Sequence, residues 1–323
     1  MRPSGPVTRS AVIVSTAILI SACSTPSLTQ VRQFGNESAA LSASAKHAFT
    51  YLDQLEIQRK LYTLASDPKD GPTDSTFTGF FETLPDRQTG QKDPRKQALA
   101  LRLDLLAGLA SYASALQSLA AANYAADIDS ASGELNGALV SLGKTYQAAT
   151  GNDIGLSAED FGMIATAVNA AGKGYAMARQ RDAIRAVVRA ADPAVQKAAA
   201  LIATDLGPDS GLAQYAQNAA GLSRGALQIA YNRDRTRADS TFDNRLARLE
   251  QIRTLYRAQQ GAGALFSDVS KGTRAMAKAH AELVRAVDSK AMSSAGLAQT
   301  LAELQAYVKS VQAFQDSVAL AGK

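Results

Sequence analysis

One pentapeptide has the spacing of a hydrolase nucleophile. Residues 221–225 (GLSRG) match the G-x-S-x-G pattern, in which the serine, here Ser223, sits on a sharp turn between a strand and a helix. The chain has two histidines, His47 and His280, so only these could supply an imidazole base. Apolar and alanine residues surround Ser223 at helical spacing, which instead favours small residues at a helix crossing. A hydrolase that uses Ser223 or an unmarked carboxylate remains an alternative.

Other motifs that could bind ligands are incomplete. Residues 137–145 (GALVSLGKT) resemble a phosphate-binding loop, but five residues separate the two glycines where that motif has four. Asp127 and Asp129 form a D-x-D pair that lacks the remaining ligands of a calcium loop. Both histidines stand alone in helical sequence, and we expect them to be partly exposed helix residues. The sequence therefore predicts no catalytic set, no metal site and no bound cofactor.

Arginine residues form the most distinctive charge pattern. Guanidinium groups bind phosphate and carboxylate in a bidentate manner, which makes arginine clusters candidate anion or partner sites. Aspartates are interleaved at helical spacing, which favours a solvated face with salt bridges between turns. The candidate residues lie along two predicted helices, with Arg179, Arg181, Arg185 and Arg189 on one and Arg233, Arg235 and Arg237 on a later one.

Composition limits the functions open to the chain. Its 323 residues include a single Cys, which excludes an intramolecular disulfide framework and a cysteine-based zinc cluster. About a fifth of the residues are Ala, which buries little area per residue. We therefore expect a core that is distributed over long, closely packed helices.

The first 23 residues have the layout of an export signal. Arg2 and Arg9 precede an apolar stretch at residues 11–20 that is too short to span a bilayer. Residues 20–23 (ISAC) follow, and their cysteine, Cys23, is the only one in the chain. This segment resembles the lipobox of bacterial lipoproteins.

The resemblance implies a processing route and a location. In that family the signal is cut before the cysteine, so residues 1–22 would be removed and Cys23 would carry diacylglycerol and an N-acyl chain. Residues 23–33 would then form the acylated end and a short tether. Ser24 differs from the aspartate that favours retention in the inner membrane, which implies the outer membrane with the protein facing the periplasm.

The same resemblance implies partners in the cell envelope. The membrane is one partner, through the lipid anchor, and an envelope protein, peptidoglycan or lipid A is a possible second. Loss of Arg2 and Arg9 takes the net charge from +5 to +3, which makes nucleic acid a poor candidate. These features favour a non-enzymatic binding or scaffolding lipoprotein, with an envelope hydrolase as an alternative.

Helical periodicity predicts an all-α fold. Residues 34–323 read as an elongated up-and-down bundle of about seven or eight helices, several of them long. One long helix is expected from about residue 28 to residue 65. Further expectations are a helix start at Asp93-Pro94, a restart at Asp192-Pro193 and a break at residues 261–267.

A proline- and glycine-containing segment at residues 66–93 interrupts the helical pattern. Phe77, Phe80 and Phe81 concentrate a third of the nine phenylalanines there. The simpler interpretation is a loop that is pinned to one end of the bundle by its aromatic side chains. The other is a tip that contacts a partner or inserts into a membrane, which adds a membrane-active protein as a second alternative.

Overall fold

The computed structural model describes residues 28–66, 94–156, 176–289 and 294–319. These residues contain no strand, which confirms the all-α prediction, and the elongated bundle has seven described helices. Their bounds are α1 Thr29–Ser66, α2 Pro94–Ala121, α3 Ala125–Thr150, α4 Ala176–Asp205, α5 Gly211–Asp234, α6 Phe242–Val287 and α7 Ala295–Ala319.

Helix α6 is the longest element and the centre of the packing. Its 46 residues extend over about 69 Å at 1.5 Å per residue. It contacts α1, α4, α5 and α7, and α1 runs antiparallel to it. The ring of Phe34 lies 5.8 Å from His280, while Phe49, further along α1, lies 4.7 Å from Phe266.

The remaining helices complete one core around α1 and α6. Helix α7 runs parallel to α1, since Gln30 of α1 donates to the Ser294 carbonyl at 3.2 Å and Gln315 donates to the Ser44 carbonyl of α1 at 2.6 Å. Helix α2 packs against α1, α3 and α4. A single cluster of buried apolar side chains draws on all seven helices.

The predicted break at residues 261–267 is wrong. Helix α6 runs through these residues, and the chain instead turns at residues 235–241. Gly261 and Gly263 lie at close contacts, because an added Cβ would come within 2.8 Å of Phe314 and 2.5 Å of Gln217. The true start of α6 is capped by Thr241, whose hydroxyl accepts from the Asn244 N–H.

The predicted restart at Asp192-Pro193 is also wrong. Pro193 lies inside α4, which continues through it. Proline lacks an N–H and normally kinks or breaks a helix interior. The helix is held here by a fully buried face on both sides of the proline, which includes Val188, Ala191, Ala194 and Val195.

Other helix ends agree with the sequence. Helix α1 covers the expected long range, and α2 begins at Pro94. Because α1 begins at Thr29, residues 29–33 are helical and do not belong to a tether, as the predicted bounds of 23–33 had them. Helix α3 ends at Thr150, where Gly151 adopts φ = 76°, a left-handed conformation that favours glycine.

Helix α2 contains a membrane-length apolar stretch. Within the described part of the chain, residues 97–121 have the length and composition needed to cross a bilayer. Half of that window is buried inside the bundle, and the buried core helix of a soluble protein has the same character. Leu105, Leu109, Tyr112 and Leu116 are among its fully enclosed residues.

Candidate functional site

Four residues singled out by the sequence lie outside the described ranges. Cys23, Phe77, Phe80 and Phe81 belong to this group. Their predicted roles in lipidation and in tip contacts remain predictions. The candidate arginines, Ser223 and both histidines lie on described helices.

The arginines of α4 form a contact to the end of α6. Arg185 donates to the Val287 carbonyl at 3.0 Å and to Asp182 at 2.7 Å. Arg189 forms an ion pair with Asp288, just beyond α6. Arg181 is half-buried and Arg179 lies in the first turn of α4. Arg185 and Arg189 therefore join two elements.

The second arginine cluster lies at the turn between α5 and α6. Arg233 and Arg248 share Asp234, at 3.0 and 2.9 Å, and these hydrogen bonds lower the pKa of Asp234 to about 2. Arg237 pairs with Asp239 at 3.2 Å. Arg235 is exposed and has no ion-pair partner among the described residues. The cluster is therefore partly neutralised but leaves a cation at the tip of the hairpin.

Ser223 does not occupy a nucleophile elbow. It lies in the middle of α5, is fully buried and donates its hydroxyl to the Ala219 carbonyl at 2.8 Å. An elbow needs a strand-to-helix turn that exposes the serine. The surroundings agree with the alternative of small residues at a helix crossing.

A chain of three polar side chains connects α2, α6 and α4, and two of the three are fully buried. The Tyr112 hydroxyl lies 2.8 Å from Nε2 of His280, and Nδ1 of His280 lies 2.9 Å from Asp192. Gln196, one turn along α4, donates to Asp192 and to the Ala277 carbonyl. Phe34 packs beside the imidazole ring.

Burial and hydrogen bonding set the charge states of this chain. Burial, with a smaller effect from the nearby Asp192 carboxylate, raises the pKa of the Tyr112 phenol far above its usual range. The hydrogen bond from His280 lowers the pKa of the Asp192 carboxyl. Tyr112 and His280 are both completely enclosed, so neither can reach a substrate. The order of the three groups, a hydroxyl, an imidazole and a carboxylate, resembles that of an acid–base catalytic set. Here, however, the three side chains link three helices to one another.

The prediction of a partly exposed His280 is therefore wrong, whereas His47 is exposed as expected. A signal for burial was present in the sequence. Met276, Leu283 and Val287 flank His280 at helical spacing and form part of the buried face of α6.

The incomplete motifs have structural roles in α3. Asp127 accepts from the Tyr124 N–H at 3.2 Å and so caps the first turn. Residues 137–145 lie inside α3, without the strand that a phosphate-binding loop follows. The described residues contain no group of three or more His, Cys, Asp or Glu that could hold a metal ion.

A wide groove lies between α1, α2 and α3. It encloses about 930 Å³ and is lined mainly by Ala, Ser and Gly. Lys46, Asp104 and Glu134 are its charged residues. Small residues explain how the helices approach closely here, and they do not by themselves form a binding site.

Comparison of the chain with protein-family models, with curated proteins and with solved structures found no match.

Proposed function

We propose that the protein is an outer-membrane-anchored, periplasm-facing helical lipoprotein that acts as a non-enzymatic binding or scaffolding component of the bacterial cell envelope. The observation that carries the proposal is the position of the only cysteine, Cys23, at the end of a lipobox-like ISAC segment. Diacylglycerol and an N-acyl chain on Cys23 would anchor the protein far more firmly than one chain could.

The described fold suits a tethered scaffold. Four residues separate Cys23 from Leu28, where the described structure begins. Beyond that point seven helices share one core, which gives a rigid body next to a short tether. Tyr112 and His280, two of the three polar groups that resemble a catalytic set, are fully enclosed, which favours binding over chemistry.

Lipidation is tested by the intact mass of the protein isolated from membranes. We expect a chain that begins at Cys23 and carries the mass of its acyl groups. Cys23→Ala should incorporate no labelled palmitate. A chain of unmodified mass, or a Cys23→Ala protein that is still labelled, would contradict the anchor.

The scaffolding role is tested by crosslinking in cells. Wild type should capture a discrete envelope partner that the Cys23→Ala protein does not capture. Identical captures from both forms would show that anchoring has no part in partner choice. That result would remove the scaffold proposal while leaving the lipidation result standing.

A further inference from the structure

Exposed apolar side chains are concentrated on the hairpin formed by α5 and α6. Six of the nine exposed large apolar residues in the described structure lie there: Leu222, Ile229, Phe242, Leu246, Leu249 and Tyr256. Phe242 is 67% exposed and Tyr256 is 49% exposed. A cluster of this kind on one element indicates an interaction surface, whereas isolated exposed apolar residues do not.

The residues on α6 form one straight stripe. Steps of four and three residues, averaging the helical repeat, lead from Phe242 through Leu246, Leu249 and Arg253 to Tyr256. The same steps continue to Arg285 near the end of the helix. We call the thirteen positions of this series the outward face of α6. They are Phe242, Leu246, Leu249, Arg253, Tyr256, Gln260, Ala264, Ser267, Lys271, Arg274, Lys278, Ala281 and Arg285. Eleven of them are exposed, and the other two, Ser267 and Ala281, are half-buried.

The outward face carries positive charge and no acidic residue. Its cations are Arg253, Lys271, Arg274, Lys278 and Arg285. Lys278 pairs with Glu303 of α7 at 3.2 Å, and Arg285 pairs with the neighbouring Glu282. Arg253, Lys271 and Arg274 have no ion-pair partner among the described residues. The face thus begins with an apolar stripe, which Arg253 interrupts. It ends in a row of basic residues that we call the basic line: Lys271, Arg274, Lys278 and Arg285.

Most of the net positive charge of the chain lies near the apolar end of the outward face. Residues 222–257 contain eight Arg and four Asp or Glu, a net charge of +4, whereas the whole chain carries +5. Arginine and aromatic side chains around an apolar stripe are typical of helices that lie in a membrane interface. An anionic surface complements this charge.

The outward face also extends back toward the predicted anchor. Leu28 lies near the end of α6 that contains His280, because α1 and α6 are antiparallel. Phe242 lies about 57 Å away at the other end of the same helix, at 1.5 Å per residue. A molecule that lies with α6 against the bilayer would place the acyl chains at one end and the apolar stripe at the other.

We propose that the outward face of α6 binds an anionic lipid surface, with Phe242, Leu246 and Leu249 at the level of the headgroups and the basic line along the phosphates. A second copy of the chain fits this face less well, because the face has five basic residues and no acidic residue to pair with them. The binding does not require acylation of Cys23, so it can be tested separately from the lipoprotein proposal.

The first test measures sedimentation with vesicles. The protein is the chain from Ser24 onward, which retains every residue of the described core. We expect binding to vesicles of phosphatidylcholine with phosphatidylglycerol, little binding to phosphatidylcholine alone, and loss of binding at high salt. Triple reversal of Lys271, Arg274 and Lys278 to Glu should weaken binding by about a hundredfold or more, at about fivefold for each basic residue.

A matched control changes the net charge by the same amount elsewhere. Lys144→Glu, Lys197→Glu and Lys309→Glu replace exposed lysines on α3, α4 and α7. This variant should bind anionic vesicles far more tightly than the α6 triple variant. Equal losses of vesicle affinity in the two variants would show that only the net charge matters, and this would overturn the proposal. An absence of binding to anionic vesicles at low salt would also overturn it.

A fluorescence reporter tests insertion without altering the basic line. The chain contains no Trp, so Phe242→Trp introduces a single reporter at the apolar end. Its emission should shift to the blue with anionic vesicles and be quenched by brominated lipid. Tyr124→Trp, at a residue that is 74% exposed on the α2–α3 connection, should show neither change. Unchanged emission at position 242, or equal changes at both positions, would overturn the proposal even if the α6 triple variant failed to fold.

Discussion

The hydroxyl of Tyr112 and the ring of His280 are completely enclosed, so water cannot replace the 2.8 Å hydrogen bond between them. Tyr112→Phe removes the hydroxyl and leaves Nε2 of His280 buried without that partner. A buried polar atom that loses its partner costs about 1–3 kcal/mol. We therefore expect Tyr112→Phe to lower the free energy of unfolding by about that amount in urea denaturation.

The control for this change is Tyr124→Phe, because Tyr124 is exposed. A surface substitution of this kind normally changes stability by less than about 0.5 kcal/mol. Equal effects at the two tyrosines would show that the Tyr112–His280 contact does not stabilise the fold.

Asp192 makes this chain of polar side chains sensitive to acid. Its folded-state pKa lies below the ordinary value of 3.8, chiefly because of the hydrogen bond from His280 and against an opposing effect of burial. A carboxyl with a lowered pKa contributes stability at neutral pH, and this contribution is lost as the pH falls through the folded-state value. The other polar groups in contact are Gln196 and, through His280, Tyr112.

Urea unfolding of wild type and Asp192→Asn at about pH 6 and about pH 3 tests this linkage. Wild type should lose more free energy of unfolding over that range than the variant, which cannot titrate at position 192. Asp209→Asn, at an exposed aspartate, should retain the wild-type dependence. Parallel pH profiles for wild type and Asp192→Asn would exclude a role for this carboxyl in acid stability.

At the scale of elements, glycines have opposite roles in different helices. An added Cβ at Gly35 of α1 would lie 2.6 Å from Cβ of Gln117 and 2.7 Å from the Ala113 carbonyl, so α1 and α2 would have to separate. An added Cβ at Gly137 of α3 would meet nothing within 4 Å. The first glycine permits close packing, whereas the second only weakens its helix.

The same substitution should therefore have opposite signs at these two sites. Gly35→Ala is expected to lower the free energy of unfolding by about 1–3 kcal/mol through overpacking. Gly137→Ala is expected to raise it by about 0.5–1 kcal/mol, because alanine favours the helix. Thermal and urea unfolding of both variants decides between these outcomes. A stabilising Gly35→Ala would show that the contact between α1 and α2 is looser than the structure has it.

These glycines also explain where sequence reasoning succeeded and failed. Helical periodicity was sufficient for the first long helix, since α1 begins and ends within one residue of the predicted bounds. The role of a glycine depends on the neighbouring helix, so the pattern could not distinguish a break from a close contact at Gly261. The pairing of Tyr112 with His280 spans 168 residues, and local spacing contains no information on such a contact.

The outward face of α6 could not be predicted from the sequence for a related reason. Its residues are visible in the sequence as arginines and apolar side chains. Their exposure becomes clear only when the rest of the bundle occupies the opposite side of the helix. Residues such as Leu246 and Leu249 have the spacing of core residues, and yet both are 44% exposed.

At the scale of the whole molecule, one core implies one cooperative unit. Helix α7 buries Leu297, Leu301 and Leu304 and packs against α1 and α6, whereas α2 packs against α1 and α4, and α3 packs against α2. If the whole core unfolds cooperatively, loss of packing at α7 also destabilises the helices that α7 does not contact. A chain of two independent bundles would keep α2 and α3 intact.

Replacement of these three leucines by alanine distinguishes the two cases. Each loss costs about 2–5 kcal/mol, and together they approach or exceed the roughly 5–15 kcal/mol by which most domains are stable. We expect the far-UV circular dichroism of all helices to melt in one shifted transition, with hydrogen-exchange protection lost in α2 as well as in α7. Changes to Ala at the exposed residues Gln299, Lys309 and Gln312 of the same helix should leave the transition near its wild-type midpoint. Native protection of α2 and α3 in the leucine variant would instead divide the molecule into two units.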